Sequence, residues 1–310
     1  MNRYWIAFWL VSFIYGSSFL LNSIALRELT PIELGFLRYS IGAIGLHVIL
    51  VQQRRHIPYD FRTLSQLVLV GLGNHAVPFT LIVWAQTHLS SGLTSVFMAT
   101  VPLYSLVIAH FVFTDERMNP HKAVGILSGF VGILILASNN LTAAQDSSVL
   151  LAELAVVAAS AMSAATTIYS RQVIRPPVDA LVITTGTMIA SAIFMLIALL
   201  LGSHFNATAP TLWHTLNLST NTALVILTLG LVNTLVANWL YYVVVSGLGA
   251  SRSTLVTYVF PPISLALGAL FLHEAIDVRI IGGTGVILGS LALATRSIQP
   301  ASLRLRRALK

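Results

Sequence analysis

Ten mostly apolar stretches recur along this chain, at 4–26, 31–51, 64–86, 91–114, 121–137, 149–173, 178–201, 222–246, 251–272 and 278–294. Each holds 17 to 25 residues. A helix rising about 1.5 Å per residue needs roughly 20 residues to cross a hydrocarbon core of about 30 Å. The chain therefore reads as an all-α integral membrane protein of ten transmembrane helices. The first run exceeds the usual 7 to 15 residue apolar core of a cleaved leader, so it counts as a helix. Only 9% of residues are charged, against roughly 25% in a soluble domain. The connecting segments are short and leave little for a soluble domain. With no cysteine, disulfides, thiolate catalysis and thiolate metal sites are excluded.

The net charge of +7 could suggest nucleic acid, but the placement of the cations argues for a bilayer. With the N-terminus in the cytoplasm, fourteen of the seventeen Lys and Arg fall on inward segments. They are Arg3, Arg54, Arg55, Arg62, Arg117, Lys122, Arg171, Arg175, Arg252, Arg296, Arg304, Arg306, Arg307 and Lys310. Two, Arg27 and Arg279, face outward, and Arg38 lies within the second run. This is the positive-inside asymmetry of an inner (plasma) membrane protein with both termini cytoplasmic.

The chain also repeats itself. At an offset of 159, Gly71-Leu72-Gly73-Asn74 aligns with Gly230-Leu231-Val232-Asn233, and Pro102 with Pro261. Leu89/Leu248, Ser95/Thr254, Ser105/Ser264 and Asp115/Glu274 fall at the same offset. The expected organisation is a first five-helix unit at 1–144, a second at 145–297 and a basic cytoplasmic tail at 298–310. Five is odd, so the second unit enters the membrane inverted. Inverted repeats commonly enclose a midplane substrate site and alternate its access.

The polar residues inside the runs are the candidates for that site. Asn74 stands at bilayer-centre depth in the third run, and Asn233 at a similar depth from the opposite side. Amides there either bond neighbouring helices or line a wet cavity, and the symmetric pair favours the cavity. Asn238 lies five residues beyond Asn233. His75 is the candidate for proton coupling, a packing histidine being the bland alternative.

In the fourth run Ser91, Ser95, Met98, Pro102 and Ser105 share one helical face; Thr254, Thr257, Pro261, Ser264 and Gly268 repeat the pattern in the ninth, beside Tyr258. Each mid-helix proline frees the carbonyl four residues back, on Met98 and Thr257, either for a solute or as a kink. The first run brings Tyr15, Gly16, Ser18 and Asn22 to similar depths, and the sixth brings Ser160, Ser163, Thr166 and Thr167.

Arg38 either snorkels to the interface or offers a fixed positive charge to a carboxylate or phosphate, with Glu33 and Glu153 as partners in the empty state. Trp84 and Tyr242 read as interface anchors. Asp115, Glu116 and Glu274 should cap or tether helix ends. Helices five and ten read as the shortest, and their spacings Gly125/Gly129 and Gly285/Gly289 suit close packing or a homodimer.

Four segments carry a family resemblance: "IYGSSFLLNSIAL" from Ile14, "TPIELGFLRYSIGAI" from Thr30, "LSSGLTSVFMATVPLYSLVIAHFVFTDER" from Leu89 and "LGASRSTLVTYVFPPISLALGALFLHE" from Leu248. The chain resembles EamA-type members of the drug/metabolite transporter superfamily over essentially its whole length. The family's mid-helix proline followed by a Gly-Glu pair is met by Pro261 and Glu274, with His273 in place of the glycine. The resemblance implies an inner-membrane permease with a central cavity, exporting amino acids or other small metabolites. It also implies that helices five and ten are peripheral.

No nucleotide-binding loop, H-E-x-x-H helix or G-x-S-x-G elbow is present, so no cofactor, metal or catalytic residue is expected. A passive channel, a non-transporting membrane subunit and an intramembrane enzyme are the rival readings.

Overall fold

A computed structural model of the protein describes residues 3–58, 60–114, 118–141, 147–174, 179–205 and 218–295. The ten spans appear as helices α1 Arg3–Ala25, α2 Pro31–Gln52, α3 Phe61–Ala85, α4 Ser91–Val112, α5 Pro120–Leu141, α6 Ser147–Val173, α7 Ala180–Phe205, α8 Thr220–Leu248, α9 Val256–Leu272 and α10 Val278–Thr295. Among the described residues there is no strand.

Helix starts follow local chemistry. Thr30 closes a capping box with Glu33 ahead of Pro31, and Asp60, Ser90 and Ser219 each accept the backbone N–H three residues on. These bonds occupy donors that a helix cannot satisfy internally.

Two helices depart from regularity at matching places. In α3 the segment Leu72–Ala76 is π-helical, and in α8 the segment Thr228–Val236 is. In α3, Pro78 lacks the N–H that the Asn74 carbonyl would take, and its ring crowds that carbonyl, so the turn widens. In α8 side chains compete with the ladder: Thr234 Oγ1 donates to Leu229 O at 3.0 Å and Asn238 Nδ2 to Thr234 O at 2.6 Å.

The fourth run breaks at Ala99–Thr100, just before Pro102. The ninth breaks earlier, at Thr254–Leu255, and then runs through Pro261 and Pro262.

Packing follows an approximate two-fold. Helix α1 lies on α9 and α8, as α6 lies on α4 and α3; α3 lies on α7, as α8 lies on α2; α2 pairs with α7 and α5 with α10. Large apolar side chains such as Trp239, Phe271 and Ile281 remain exposed on the outside, where lipid would meet them.

Two expectations need correction. Helix α5 has 22 residues because it begins at Pro120, capped by Asn119, and continues past the apolar run to Leu141; the shortest spans are α9 with 17 residues and α10 with 18. Gly125 and Gly129 do press against α10, at Ser290 and Ala294, but a Cβ on Gly285 or Gly289 would meet nothing within 4 Å. Helix α10 turns Gly283, Ile287, Ser290 and Ala294 toward α5 instead, leaving Gly285 and Gly289 on the outer side.

Candidate functional site

Arg38 sits eight residues into α2, and three helices reach its guanidinium. Nε donates to Thr234 Oγ1 of α8 at 3.2 Å. Nη1 and Nη2 donate to Asn22 Oδ1 and Ser18 Oγ of α1, both at 3.4 Å. The Phe79 ring of α3 lies 5.1 Å from the guanidinium carbon, a cation–π distance. Tyr15, Tyr39 and His75 lie within its electrostatic reach. Every hydrogen-bonding partner is neutral. Glu33 is fully buried and accepts from Thr30 N and Oγ1, both at 2.8 Å, and Glu153 is a buried residue of α6. Arg55 and Asp179 form an ion pair away from this cluster, past the end of α2 and ahead of α7.

Asn22 is itself held in place. Its Nδ2 donates to Gln86 Oε1 at 3.1 Å, while Gln86 Nε2 donates to Phe19 O at 3.0 Å and Ser23 Oγ at 3.3 Å. A relay thus runs from the end of α3 through α1 to Arg38. Beside Arg38, Tyr39 OH donates to His75 O at 3.4 Å, inside the π-helical turn of α3, and the Tyr39 and His75 rings lie 5.8 Å apart. Consecutive residues of α2 therefore contact both π-helical segments, α8 through Arg38 and α3 through Tyr39.

Of the residues singled out in the sequence, Tyr15, Ser18, Asn22, Arg38 and His75 gather here. Asn74 lies in the same π turn as His75, half-buried, and makes no side-chain hydrogen bond among the described residues. Asn233 is placed differently. Its Nδ2 donates to Ile14 O and, at 3.2 Å, to Ser17 Oγ, tying α8 to α1, while Oδ1 is buried without a partner.

Met98 Sδ accepts from Ser160 Oγ at 3.4 Å, linking α4 to α6, and Pro102 is half-buried. Thr257 Oγ1 bonds Thr254 O of its own turn; Tyr258 packs in the α4–α9 core and Pro261 is buried. Tyr15 lies 6.4 Å from Tyr241, and Gly16 backs onto Phe260 O of α9. Trp84 packs on His88 and Tyr242 is exposed on the outer surface.

Glu274 is a tether. The end of α9 bonds back on Gly268 O from the N–H groups of His273 and Glu274, with His273 in the left-handed region at φ 56°. This turn aims Glu274 at the start of α4. Its carboxylate accepts from Ser91 N at 2.7 Å, Ser91 Oγ at 3.0 Å and Gly92 N at 3.2 Å. At the same end Glu28 accepts from Ser219 N at 3.1 Å and Ser219 Oγ at 2.6 Å at the start of α8. The stripes of α4 and α9 meet below, where Ser264 Oγ donates to Ser91 O at 3.4 Å. Asp115 and Glu116 lie outside the described residues. A cavity of about 250 Å³ opens at this end among His88, Leu93, Leu136, Val149 and Arg279, sharing no residue with the Arg38 cluster.

Gln86, Phe79, Thr234 and Tyr39 were not singled out in the sequence. Thr234 adjoins Asn233, and Gln86 is the amide closing the third run; those were the available signals.

Ten helices built for lipid around a buried polar cluster make this a multi-pass membrane protein, and its relatives are transporters. The EamA-like transporter family matches twice, over residues 3–138 and 150–296, and the chain belongs to that family. It is 24% identical over 293 residues to the uncharacterised transporter YoaV of Bacillus subtilis, covering 93% of this chain and 97% of that one. It is 23% identical over 292 residues to an uncharacterised transporter of Archaeoglobus fulgidus, covering 94% and 98%. A solved crystal structure shares the fold with a TM-score of 0.61 and 17% identity, over 94% of this chain and 98% of that one.

Proposed function

We propose that this membrane transporter is a secondary exporter of a small organic metabolite, working by alternating access in the inner membrane with both termini cytoplasmic. The solute's anionic end meets Arg38. The observation that carries this reading is the guanidinium held between α1, α2, α3 and α8 by neutral partners. An uncompensated charge at membrane depth is costly, and an intramembrane residue that keeps one is a functional candidate by default. The two π-helical turns beside it supply helix segments that can change register as access alternates.

The doubled packing supports a division into units at 1–144 and 145–297. Arg55 and Asp179, both exposed, lie on the face assigned to the cytoplasm. His75 is the titratable group at which a proton would enter the cycle.

The experiment is to overproduce the protein and its Arg38→Gln variant in cells and compare the metabolites released to the medium. At least one should accumulate with the wild type and not with the variant; identical media would remove the reading. A pH dependence of flux unchanged in His75→Gln would remove the proton role. Cytoplasmic termini are tested by accessibility labelling of tags at both ends.

A further inference from the structure

We infer that the solute is an organic monoanion, a carboxylate or sulfonate with an apolar remainder and no ammonium group. This rests on the transporter reading and narrows it. The argument is a charge count at the site. Arg38 contributes one permanent positive charge. Of the ten acidic residues, Glu28, Glu33, Asp60, Glu153, Asp179, Glu274 and Asp277 are described, and none forms an ion pair with Arg38. Glu28, Glu33 and Glu274 are engaged at helix ends. Asp115, Glu116 and Asp146 fall between runs in the sequence, outside the described residues.

One positive charge in a low-dielectric site is balanced by one negative charge. A zwitterion would bring its own ammonium against the guanidinium, where among the described residues no carboxylate pairs with Arg38. With His75 in its neutral form, a phosphate dianion would leave a net negative charge.

The hydrogen-bond inventory agrees. A site for ammonium needs open acceptors, and several carbonyls at or beside the irregular turns already hold protein donors. His75 O takes Tyr39 OH, Leu229 O takes Thr234 Oγ1, Thr234 O takes Asn238 Nδ2, and Phe19 O takes Gln86 Nε2. Asn233 Oδ1 is buried without a partner. Asn74 offers one neutral amide, enough for a hydroxyl or an amide of the solute.

Donors face the other way. A guanidinium carries five N–H groups in a planar fork, and three hydrogen bonds, two of them long, leave two N–H groups open for an oxyanion. Around it the rings of Phe79, Tyr39 and Tyr15 favour an apolar or aromatic body.

The test uses two probes on one skeleton, 3-phenylpropionate and L-phenylalanine, which differ by the ammonium group alone. Full-length protein in proteoliposomes preloaded with unlabelled probe is assayed for counterflow of the labelled one, which needs no driving ion. Phenylpropionate should exchange at least about 10-fold faster than phenylalanine, a discrimination within reach of one unpaired buried charge. Arg38→Gln should lose that exchange and Arg38→Lys keep part of it, with both variants monodisperse in detergent.

Equal or faster exchange of phenylalanine overturns the monoanion assignment and leaves the transporter reading standing. Absence of phenylpropionate exchange, with saturable counterflow of any zwitterion or cation, does the same. Absence of saturable counterflow for anions, zwitterions and cations alike overturns both.

Discussion

Arg38 and Thr234 join the two halves of the chain: the guanidinium Nε donates to the hydroxyl across 3.2 Å, from α2 to the π-helical turn of α8. Thr234 is almost fully buried, and the same hydroxyl donates to Leu229 O. One oxygen thus both receives the charged group and stabilises the widened turn.

Thr234→Val keeps the shape and removes both bonds. A hydrogen bond to a charged group contributes about 1.5–3 kcal/mol. The variant should bind anionic solute several-fold more weakly while Asn22 and Ser18 still hold Arg38. Solute titration by thermal shift reads the change; unaltered affinity would show that Thr234 does not orient the guanidinium.

Glu274 ties α9 to α4, and its charge favours the N-terminal end of α4, where unbonded N–H groups concentrate. Glu274→Gln should destabilise the protein by about 1–2 kcal/mol, with part of the interaction screened because the group is not fully buried. Glu274→Ala should cost more. An unchanged melting temperature for both in detergent would mean the tether contributes nothing to stability.

His273 occupies the left-handed backbone position that ends α9, where glycine is usual. A residue with a Cβ is strained there by about 1–2 kcal/mol. His273→Gly should therefore raise the melting temperature slightly or leave it unchanged, the strain relief offsetting the unfolded-state entropy of glycine. A clear drop would assign the imidazole a contact of its own.

Asp60, solvent-exposed at the start of α3, accepts the Thr63 N–H at 2.8 Å, and that bond holds its carboxyl below the usual carboxylate range. A lowered folded-state value stabilises above the unfolded value and loses that contribution as pH falls through the folded one. Asp60→Asn retains a capping oxygen without the charge. It should leave stability near neutral pH almost unchanged and remove a small part of the decline in acid, as followed by thermal melts against pH. An identical acid limb would show that the cap's charge is immaterial.

Legibility in the sequence followed the range of each interaction. The ten spans and the doubling were readable because they depend on local composition and on one fixed offset. Arg38 and Asn22 were readable because a charge or amide inside an apolar run is conspicuous. Gln86 and Thr234 were not, since their roles depend on α1 and α2 meeting α3 and α8 sideways, which no periodicity encodes. Asn74 and Asn233 show the limit of symmetry as a guide. They share depth and a π-helical setting, yet one amide is unbonded while the other is spent on Ile14 and Ser17. The rotation of α10 was equally hidden. Its glycines occur on two faces, and spacing alone could not choose between 283 and the 285/289 pair.

That choice gives the last prediction. A Cβ on Gly125 would lie 2.7 Å from Ala294 Cβ, 2.8 Å from Ser290 O and 2.9 Å from Ala294 N, closer than real contacts allow and partly against backbone that cannot swing away. Helices in lipid associate through close packing more than through hydrophobic expulsion, so separating α5 from α10 here loses much of what holds them. Gly125→Val should lower stability by about 1–3 kcal/mol through overpacking. Gly285→Leu should leave the monomer's melting temperature unchanged, because its side chain points into open space. Native mass spectrometry of the second variant then reads the homodimer expectation separately. A dimer that becomes monomeric on Gly285→Leu places a second copy on this face, whereas a destabilised monomer would mean that α10 is rotated from the orientation described.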